Sequence, residues 1–193
     1  MKKLYLASNS KTRKQILDNV GIKYTVYPSN IEEISNKENP IEYCIDLSNQ
    51  KAKSIAASLK EGVILSADSV IYFDGKKLEK PKSKKEAFNN LKMLSGKSNT
   101  AVTGLTIIDL YQNKEVTFYE ETEVIFDELT DDEINWYIEN EQYIFERAGY
   151  SIAGKTAIYI SIIKGDYFNI LGMPVSKVYK ELKKLGYKIS DFD

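Results

Sequence analysis

The sequence has 193 residues, a size that allows one domain, or one domain in two lobes, with a substantial core. Hydrophobic residues make up 42% and charged residues 28%, and the net charge of −1 argues against general binding of nucleic acid through a basic surface. The absence of histidine excludes Ser–His and Cys–His catalysis and histidine-ligated zinc, so that a bound metal would be a hard cation such as magnesium or manganese on oxygen ligands.

The N-terminus and the cysteine content predict a cytoplasmic protein that does not bind membranes. Only Leu4–Ala7 is apolar after the basic start, which is too short for a signal peptide. The longest apolar runs, such as Ala157–Ile163, are too short to span a bilayer. A single cysteine, Cys44, cannot form an internal disulfide, and its place on an apolar helical stripe predicts a buried, unreactive thiol.

The first element is a strand from Leu4 that turns at Ser8–Ser10 into a helix beginning at Lys11. The first turn of this helix carries cations, including Arg13, although a helix N-terminus has partial positive charge and favours acidic residues. A phosphate bound to the free N–H groups and the cations would remove this conflict. Cations that point into screened solvent are the alternative, and the pattern alone leaves both open.

The next segment contains a strand over Ile22–Tyr27 and a polar loop with Glu33. Asn39, followed by proline, predicts the start of a helix that runs to about Lys60. On the 3.6-residue repeat, Lys51 lies at the rim of the apolar face of this helix, from which its ammonium can reach a cleft. A lysine that only extends along the rim into water is at least as common.

The apolar run Val63–Phe73 predicts a buried strand in which Asp68 and Ser69 are the polar interruption. A carboxylate in such a strand is costly unless a metal or a cation faces it, so Asp68 is the leading candidate for a catalytic or metal-binding group. The alternative is an aspartate that caps backbone groups at a β-bulge. Asp74 and Gly75 then predict a hairpin turn.

The rest of the chain alternates helices with a long hairpin. Lys80 precedes a proline, which keeps it extended. The predicted elements are a helix capped by Ser83, strands over Asn99–Tyr111 and Glu115–Phe126, a helix capped by Thr130, a strand over Thr156–Ile162 and a helix from Val175 that ends at Gly186. This order predicts an α/β protein with a mixed sheet, with room for two lobes and a cleft between them.

The polar residues singled out above have the chemistry that a polyphosphate substrate needs, with hydroxyls and cations for its oxygens and carboxylates for its metal. The candidates for the phosphate oxygens are Ser8, Ser10, Arg13, Lys51 and Lys80. The candidates for holding a divalent ion and activating water are Asp68 and Glu33. Spacing alone does not show that these side chains meet.

Motifs in a fixed order resemble those of the Maf family of nucleotide pyrophosphatases, beginning with Leu6–Leu17 (LASNSKTRKQIL). The further similar motifs are Glu32–Glu33, Tyr43–Ala52, Ser66–Val70, Leu78–Pro81, Leu94–Lys97, Thr103–Gly104, Arg147–Tyr150, Gly165–Asn169 and Gly172–Pro174. The resemblance covers nearly the whole chain. It implies one Maf-like domain over residues 1–193, with an elongated ITPase-like α/β fold and a central cleft.

The resemblance implies a house-cleaning enzyme that hydrolyses a nucleoside triphosphate to the monophosphate and pyrophosphate, with magnesium or manganese as cofactor. It implies that Asp68 is the catalytic acid, acting as general base or metal ligand, and that Glu33 is a metal-binding or catalytic carboxylate. The implied substrate-binding positions are Ser8, Arg13, Lys51, Ser69, Lys80 and Ala153.

Base preference is the point at which this sequence departs from the family pattern. The branch that prefers dTTP and UTP has threonine where Ser69 stands and glutamine where Ala153 stands. Ser69 keeps the hydroxyl, whereas Ala153 cannot hydrogen-bond a base edge through its side chain. We expect dTTP, UTP or a modified nucleotide as substrate.

The alternative function is a non-catalytic, nucleotide-binding regulator of cell division. In either case the expected partner is a nucleoside triphosphate rather than nucleic acid or a membrane. The sequence does not determine whether the chain forms a homodimer.

Overall fold

A computed structural model describes residues 1–141, 144–145 and 150–193. Its strands are β1 (Leu4–Leu6), β2 (Thr25–Val26), β3 (Val63–Phe73), β4 (Lys76–Leu78), β5 (Ser98–Asp109), β6 (Lys114–Phe126) and β7 (Ile160–Lys164). In the described residues they form one seven-stranded sheet, with the order β2-β1-β3-β5-β6-β7 and with β4 paired to β3. The sheet is mixed, because β1 runs parallel to β2 and β3 while the other pairs are antiparallel.

Five helices begin where the sequence predicts, four of them directly after the polar residues Ser10, Asn39, Ser83 and Thr130, whereas the short helix from Tyr167 was not predicted. The helices are α1 (Lys11–Asn19), α2 (Pro40–Ala56), α3 (Lys84–Leu94), α4 (Asp131–Asn140), α5 (Tyr167–Ile170) and α6 (Val175–Lys184), and short 3₁₀ helices cover Lys155–Tyr159 and Ile189–Asp191. The predicted α/β class is therefore confirmed. Among the described residues, none of the helices combines the length and the apolar character needed to cross a bilayer.

Three long strands give the fold its elongated form and its two lobes. Strands β3, β5 and β6 have 11, 12 and 13 residues. At about 3.3 Å per residue each is roughly 35–45 Å long. One hydrophobic cluster packs α1 and α6 on the first part of β3, and a second packs α3 and α4 near the far end of β6. On the opposite face of the sheet, α2 covers the middle of β3 and β5.

Three predicted boundaries are wrong, two of them because the strand partners that decide them are distant in sequence. The strand expected over Ile22–Tyr27 contains only Thr25–Val26, since the neighbouring β1 is itself short. Helix α2 ends at Ala56 rather than near Lys60. The Ser58 hydroxyl, just after this end, donates to the Ile55 carbonyl, which is a local bond that competes with continuation of the helix. The segment before Ile160 is a 3₁₀ helix instead of a strand, because the pairing with β6 ends at Phe126 opposite Ile160 and only the Asp127 N–H still bonds the Tyr159 carbonyl.

Candidate active site

The turn before α1 is organised by two serine hydroxyls. Ser10 is the N-cap of α1, and its Oγ accepts the Arg13 backbone N–H at 3.4 Å. The Oγ of Ser8 accepts the Ser10 N–H at 3.2 Å and the Arg13 Nη1 at 3.3 Å. No acidic residue stands in the first turn of α1. The helix N-terminus therefore keeps the positive character that the sequence predicts.

The Arg13 side chain joins three segments of the chain instead of pointing into water. Its Nε donates to the Gly172 carbonyl at 2.9 Å, and its Nη1 to the Ala67 carbonyl at 2.8 Å. Its Nη2 donates to Ser69 Oγ at 3.1 Å. With Ser8, four acceptors thus face the five N–H donors of the guanidinium. Arg13 holds the cleft together as well as supplying charge to it.

Burial lowers the pKa of the Arg13 guanidinium, and the charges of Asp68 and Glu33 oppose that shift. Because the ordinary pKa of arginine lies far above neutrality, the side chain stays charged. It therefore supplies a fixed positive charge close to the two carboxylates.

Replacing Arg13 with lysine is expected to lower the free energy of unfolding by about 2 kcal/mol, because one ammonium cannot bridge the Gly172 and Ala67 carbonyls. Urea denaturation followed by circular dichroism measures this. As a control, Lys14→Gln removes a cation from the same turn of α1 and should change the free energy by less than about 0.5 kcal/mol. An Arg13→Lys protein with the wild-type urea midpoint would contradict the bridging role.

Asp68 lies in the middle of β3 beside the buried Lys51. The Nζ of Lys51 is 2.6 Å from Asp68 Oδ1 and 3.0 Å from Glu33 Oε1. The Lys51 and Asp68 side chains are 9% and 12% exposed, whereas that of Glu33 is 53% exposed. Asp68 pairs regularly across the sheet with Gly104, so the alternative of a β-bulge at this position is wrong. The cationic partner that the buried carboxylate requires is Lys51.

Lys51 lies deeper than the rim position expected from its place on α2, because α2 packs very closely on β5. A Cβ atom on Gly104 would lie 2.3 Å from the carbonyl carbon of Cys44 and 2.4 Å from the nitrogen of Ile45. Only glycine leaves room for the α2 backbone here. This close approach brings the Lys51 side chain down to Asp68 on the neighbouring β3.

Cys44 is fully buried on the same face of α2, and its thiol donates to the Val102 carbonyl at 3.6 Å. Burial, with the nearby charge of Asp68, raises the pKa of Cys44 to about 12. The predicted burial of this thiol is confirmed, and its raised pKa disfavours the reactive thiolate.

These elements surround a cleft of about 1070 Å³ between the two lobes. The sequence-predicted site residues that line it are Ser10, Arg13, Glu33, Asp68, Ser69, Lys80 and Ala153. Ser8 and Lys51 lie directly behind this lining, bonded to Arg13 and Asp68. Arg147, Ala148 and Gly149 of the Arg147–Tyr150 motif lie outside the described residues.

Lys80 and Ala153 also line the cleft, and both are exposed. Lys80 follows β4 of the short hairpin. The segment before Ala153 is anchored by Tyr150, whose hydroxyl donates to Asn99 Oδ1 at 2.7 Å. Burial raises the pKa of the Tyr150 hydroxyl, so it stays protonated and keeps this bond.

A protein-family model described as Maf-like protein matches residues 3–185. The chain belongs to the Maf family. A dTTP/UTP pyrophosphatase of Carboxydothermus hydrogenoformans is 41% identical over 96% of this chain and 100% of its own length. Proteins of the same name from Fusobacterium nucleatum and Bacillus pumilus are 40% and 41% identical, covering 98% and 96% of this chain and 99% and 98% of their own lengths.

One solved structure, the Ham1 protein of Staphylococcus aureus, aligns with this Maf-family chain with a TM-score of 0.47 at 14% identity, over 65% of this chain and 72% of that one.

Two residues beside this Maf-family site appeared in the sequence only as members of family motifs and were given no role. Thr103 and Asn169 are fully buried beside the cleft, and Thr103 Oγ1 lies 2.9 Å from Ser69 Oγ. The available signal was a polar side chain on the inward face of an apolar strand, which needs a hydrogen-bond partner. The same face of β5 carries Leu105 and Ile107, which belong to the core.

Proposed function

We propose that this Maf-family chain, acting as one domain over residues 1–193, hydrolyses nucleoside triphosphates to monophosphates and pyrophosphate. The observation that carries the proposal is that Asp68 and Glu33, both bonded to Lys51, line the same cleft as the α1 N-terminus with Arg13. Carboxylates beside concentrated positive charge suit the cleavage of a phosphoric anhydride. The relatives named dTTP/UTP pyrophosphatase support the same activity.

The positive groups divide between two places in the cleft. The N-terminus of α1 and the exposed Lys80 both line the cleft and would bind the phosphate chain. Arg13 adds charge, but its bonds to Ser8, Ser69 and two carbonyls fix its position. We propose that the phosphate chain rests against this fixed surface, with Lys51 beneath it.

Asp68 is proposed to carry the chemical step. Water attacks the α-phosphorus, the bond to the bridging oxygen breaks, pyrophosphate leaves, and a proton is lost from the attacking water. Asp68 would accept that proton directly or act as a metal ligand, and the Lys51 ammonium at 2.6 Å orients its carboxylate. Glu33 forms an ion pair with the same ammonium and would assist Asp68 either as a base or as a metal ligand.

A divalent cation fits Asp68 and Glu33, the two residues that would hold it. Both carboxylates already converge on one positive group, the Lys51 ammonium. In the described residues no cluster of three or more acidic or cysteine ligands exists. Magnesium is commonly bound by one or two carboxylates, with water and substrate phosphates completing its shell. Such an ion would neutralise charge on the phosphate oxygens.

A nucleotide panel tests the proposal. The protein is incubated with dTTP, UTP, CTP, ATP, GTP and modified triphosphates in magnesium or manganese, and both products are identified. We expect monophosphate and pyrophosphate in equal amounts, with dTTP, UTP or a modified nucleotide turned over fastest. Release of inorganic phosphate and a nucleoside diphosphate would contradict the proposed bond cleavage. Binding with intact nucleotide recovered after long incubation would support the alternative of a non-catalytic regulator.

A further inference from the structure

Three buried hydroxyl groups meet between α2 and the sheet, one helical turn before Lys51. Ser48 on α2, Ser66 on β3 and Thr106 on β5 are all fully buried. The Ser66 Oγ donates to the Ser48 backbone carbonyl, and the Ser48 Oγ lies 3.0 Å from the Thr106 Oγ1. Two neighbouring strands therefore bond the same residue of the helix.

This hydroxyl cluster lies next to the proposed catalytic pair on both elements. Ser66 and Asp68 are two residues apart on β3, so their side chains lie on the same face of the sheet. Lys51 follows Ser48 by three residues on α2, so the two lie on the same face of the helix. Strand β3 thus bonds α2 at two points one turn apart, through Ser66 to Ser48 and through Asp68 to Lys51.

Stability alone does not require a hydroxyl at Ser66, which interrupts the apolar run Val63–Phe73. A buried hydroxyl loses its bonds to water, so its hydrogen bond contributes little net free energy over a small apolar side chain. The apolar contacts of α2, through residues such as Ala52 and Ile55, have no preferred direction. A hydrogen bond does have one, and it therefore fixes where α2 lies along the strands.

The position of α2 matters because Lys51 reaches the carboxylates through a long side chain. Its Nζ lies 2.6 Å from Asp68 Oδ1 and 3.0 Å from Glu33 Oε1. A lysine ammonium stands on a flexible four-carbon stem, so its place depends on the backbone that carries it. A shift of about 1 Å in a catalytic group can slow a reaction by about 10²-fold.

We propose that Ser66 is a positioning residue for the pair of Lys51 and Asp68: its bond to the Ser48 carbonyl fixes the turn of α2 from which Lys51 reaches the carboxylate. This inference rests on the proposed nucleotide hydrolysis and deepens it. Ser66 is fully buried and does not touch the substrate, so its effect on the reaction passes through Lys51 and Asp68.

The first experiment measures kcat and KM of Ser66→Ala with the fastest nucleotide of the panel. We expect kcat to fall about tenfold and KM to stay within about twofold, because Asp68 acts in the chemical step and the phosphate-binding surface is unchanged. The variant should fold, since the Ser48 carbonyl keeps its place in the bonding of the helix itself.

Tyr187→Phe is the matched control. It also removes one buried hydroxyl, which donates to Asp109 at 2.9 Å in a part of the fold remote from the cleft. This variant should have a lower urea midpoint than wild type and an unchanged kcat. An unchanged kcat in Ser66→Ala, or an equal fall in Tyr187→Phe, would overturn the inference.

A second substitution separates positioning from a general loss of structure. In an Asp68→Asn background the ion pair with Lys51 is already lost, so Ser66→Ala should cause no further fall in kcat. Single-turnover rates with excess enzyme measure this slow background. A tenfold fall in both backgrounds would mean that Ser66 acts independently of Asp68, and the proposal would be wrong.

The crystal structure of Ser66→Ala tests the positioning without turnover. We expect Lys51 Nζ to lie more than about 3.2 Å from Asp68 Oδ1, instead of at 2.6 Å. A retained distance of 2.6 Å would contradict the proposed role. A wild type that releases no pyrophosphate from any nucleotide would refute the proposed hydrolysis, whereas a displaced Lys51 in the variant would still support the positioning role.

Discussion

Replacing Asp68 with asparagine is expected to reduce pyrophosphate release by about 10²-fold or more, because the amide cannot accept a proton and is a poor ligand for a divalent cation. The chain should still fold, since asparagine has the same shape and Lys51 keeps Glu33 as a charged partner at 3.0 Å. Initial rates with the fastest nucleotide of the panel measure the effect. Circular dichroism checks that the secondary structure is intact.

Asp109→Asn provides the matched control for this loss. Asp109 is fully buried at the end of β5, and its carboxylate accepts bonds from Tyr111, Gln112 and Tyr187, remote from the cleft. Its replacement removes a buried carboxylate without touching the site, so kcat should stay within about twofold while stability falls. Full activity in Asp68→Asn, or an equal loss in Asp109→Asn, would contradict the catalytic assignment.

The elements that sequence predicts well are those that short-range chemistry determines. The turn at Asp74–Gly75 is one example, because both residues have the positive φ angles, 46° and 75°, that this pair favours. The start of α1 at its Ser10 cap and the capping box of Thr130 with Glu133 are others. The segment before Ile160 shows the limit, since its apolar residues would suit a strand but β6 no longer runs beside them.

In the site, too, features set by neighbouring residues could be predicted, whereas features set by residues distant in sequence could not. The cost of a carboxylate in an apolar strand identifies Asp68 without any structure, and the structure supplies the cation that this cost requires. The depth of Lys51 could not be read from α2, because it depends on the absence of a side chain at Gly104 on another strand. Arg13 was expected to bind phosphate. Its bonds to the Gly172 and Ala67 carbonyls could not be predicted from the local sequence, because both acceptors are far from Arg13 along the chain.

Introducing a methyl group at Gly104 is expected to lower the free energy of unfolding by about 3 kcal/mol. The added Cβ would lie 2.3 Å from backbone atoms of α2, which cannot move aside as a flexible side chain would. Helix α2 must then lift from β5, which separates Lys51 from Asp68. Gly104→Ala should therefore lose activity as well as stability. Urea denaturation and initial rates under conditions where the variant is folded separate the two effects.

Gly21→Ala serves as the comparison, because Gly21 has a φ of 73° but no atom within 4 Å of an added Cβ. That variant bears only the backbone strain of a left-handed residue, about 1 kcal/mol, and should keep the wild-type rate. If Gly104→Ala were as stable and as active as Gly21→Ala, the close packing of α2 on β5 would not be what holds Lys51 at Asp68. A selective loss in Gly104→Ala would instead show that the contact between Lys51 and Asp68 depends on the absence of a side chain at Gly104 on the adjacent strand.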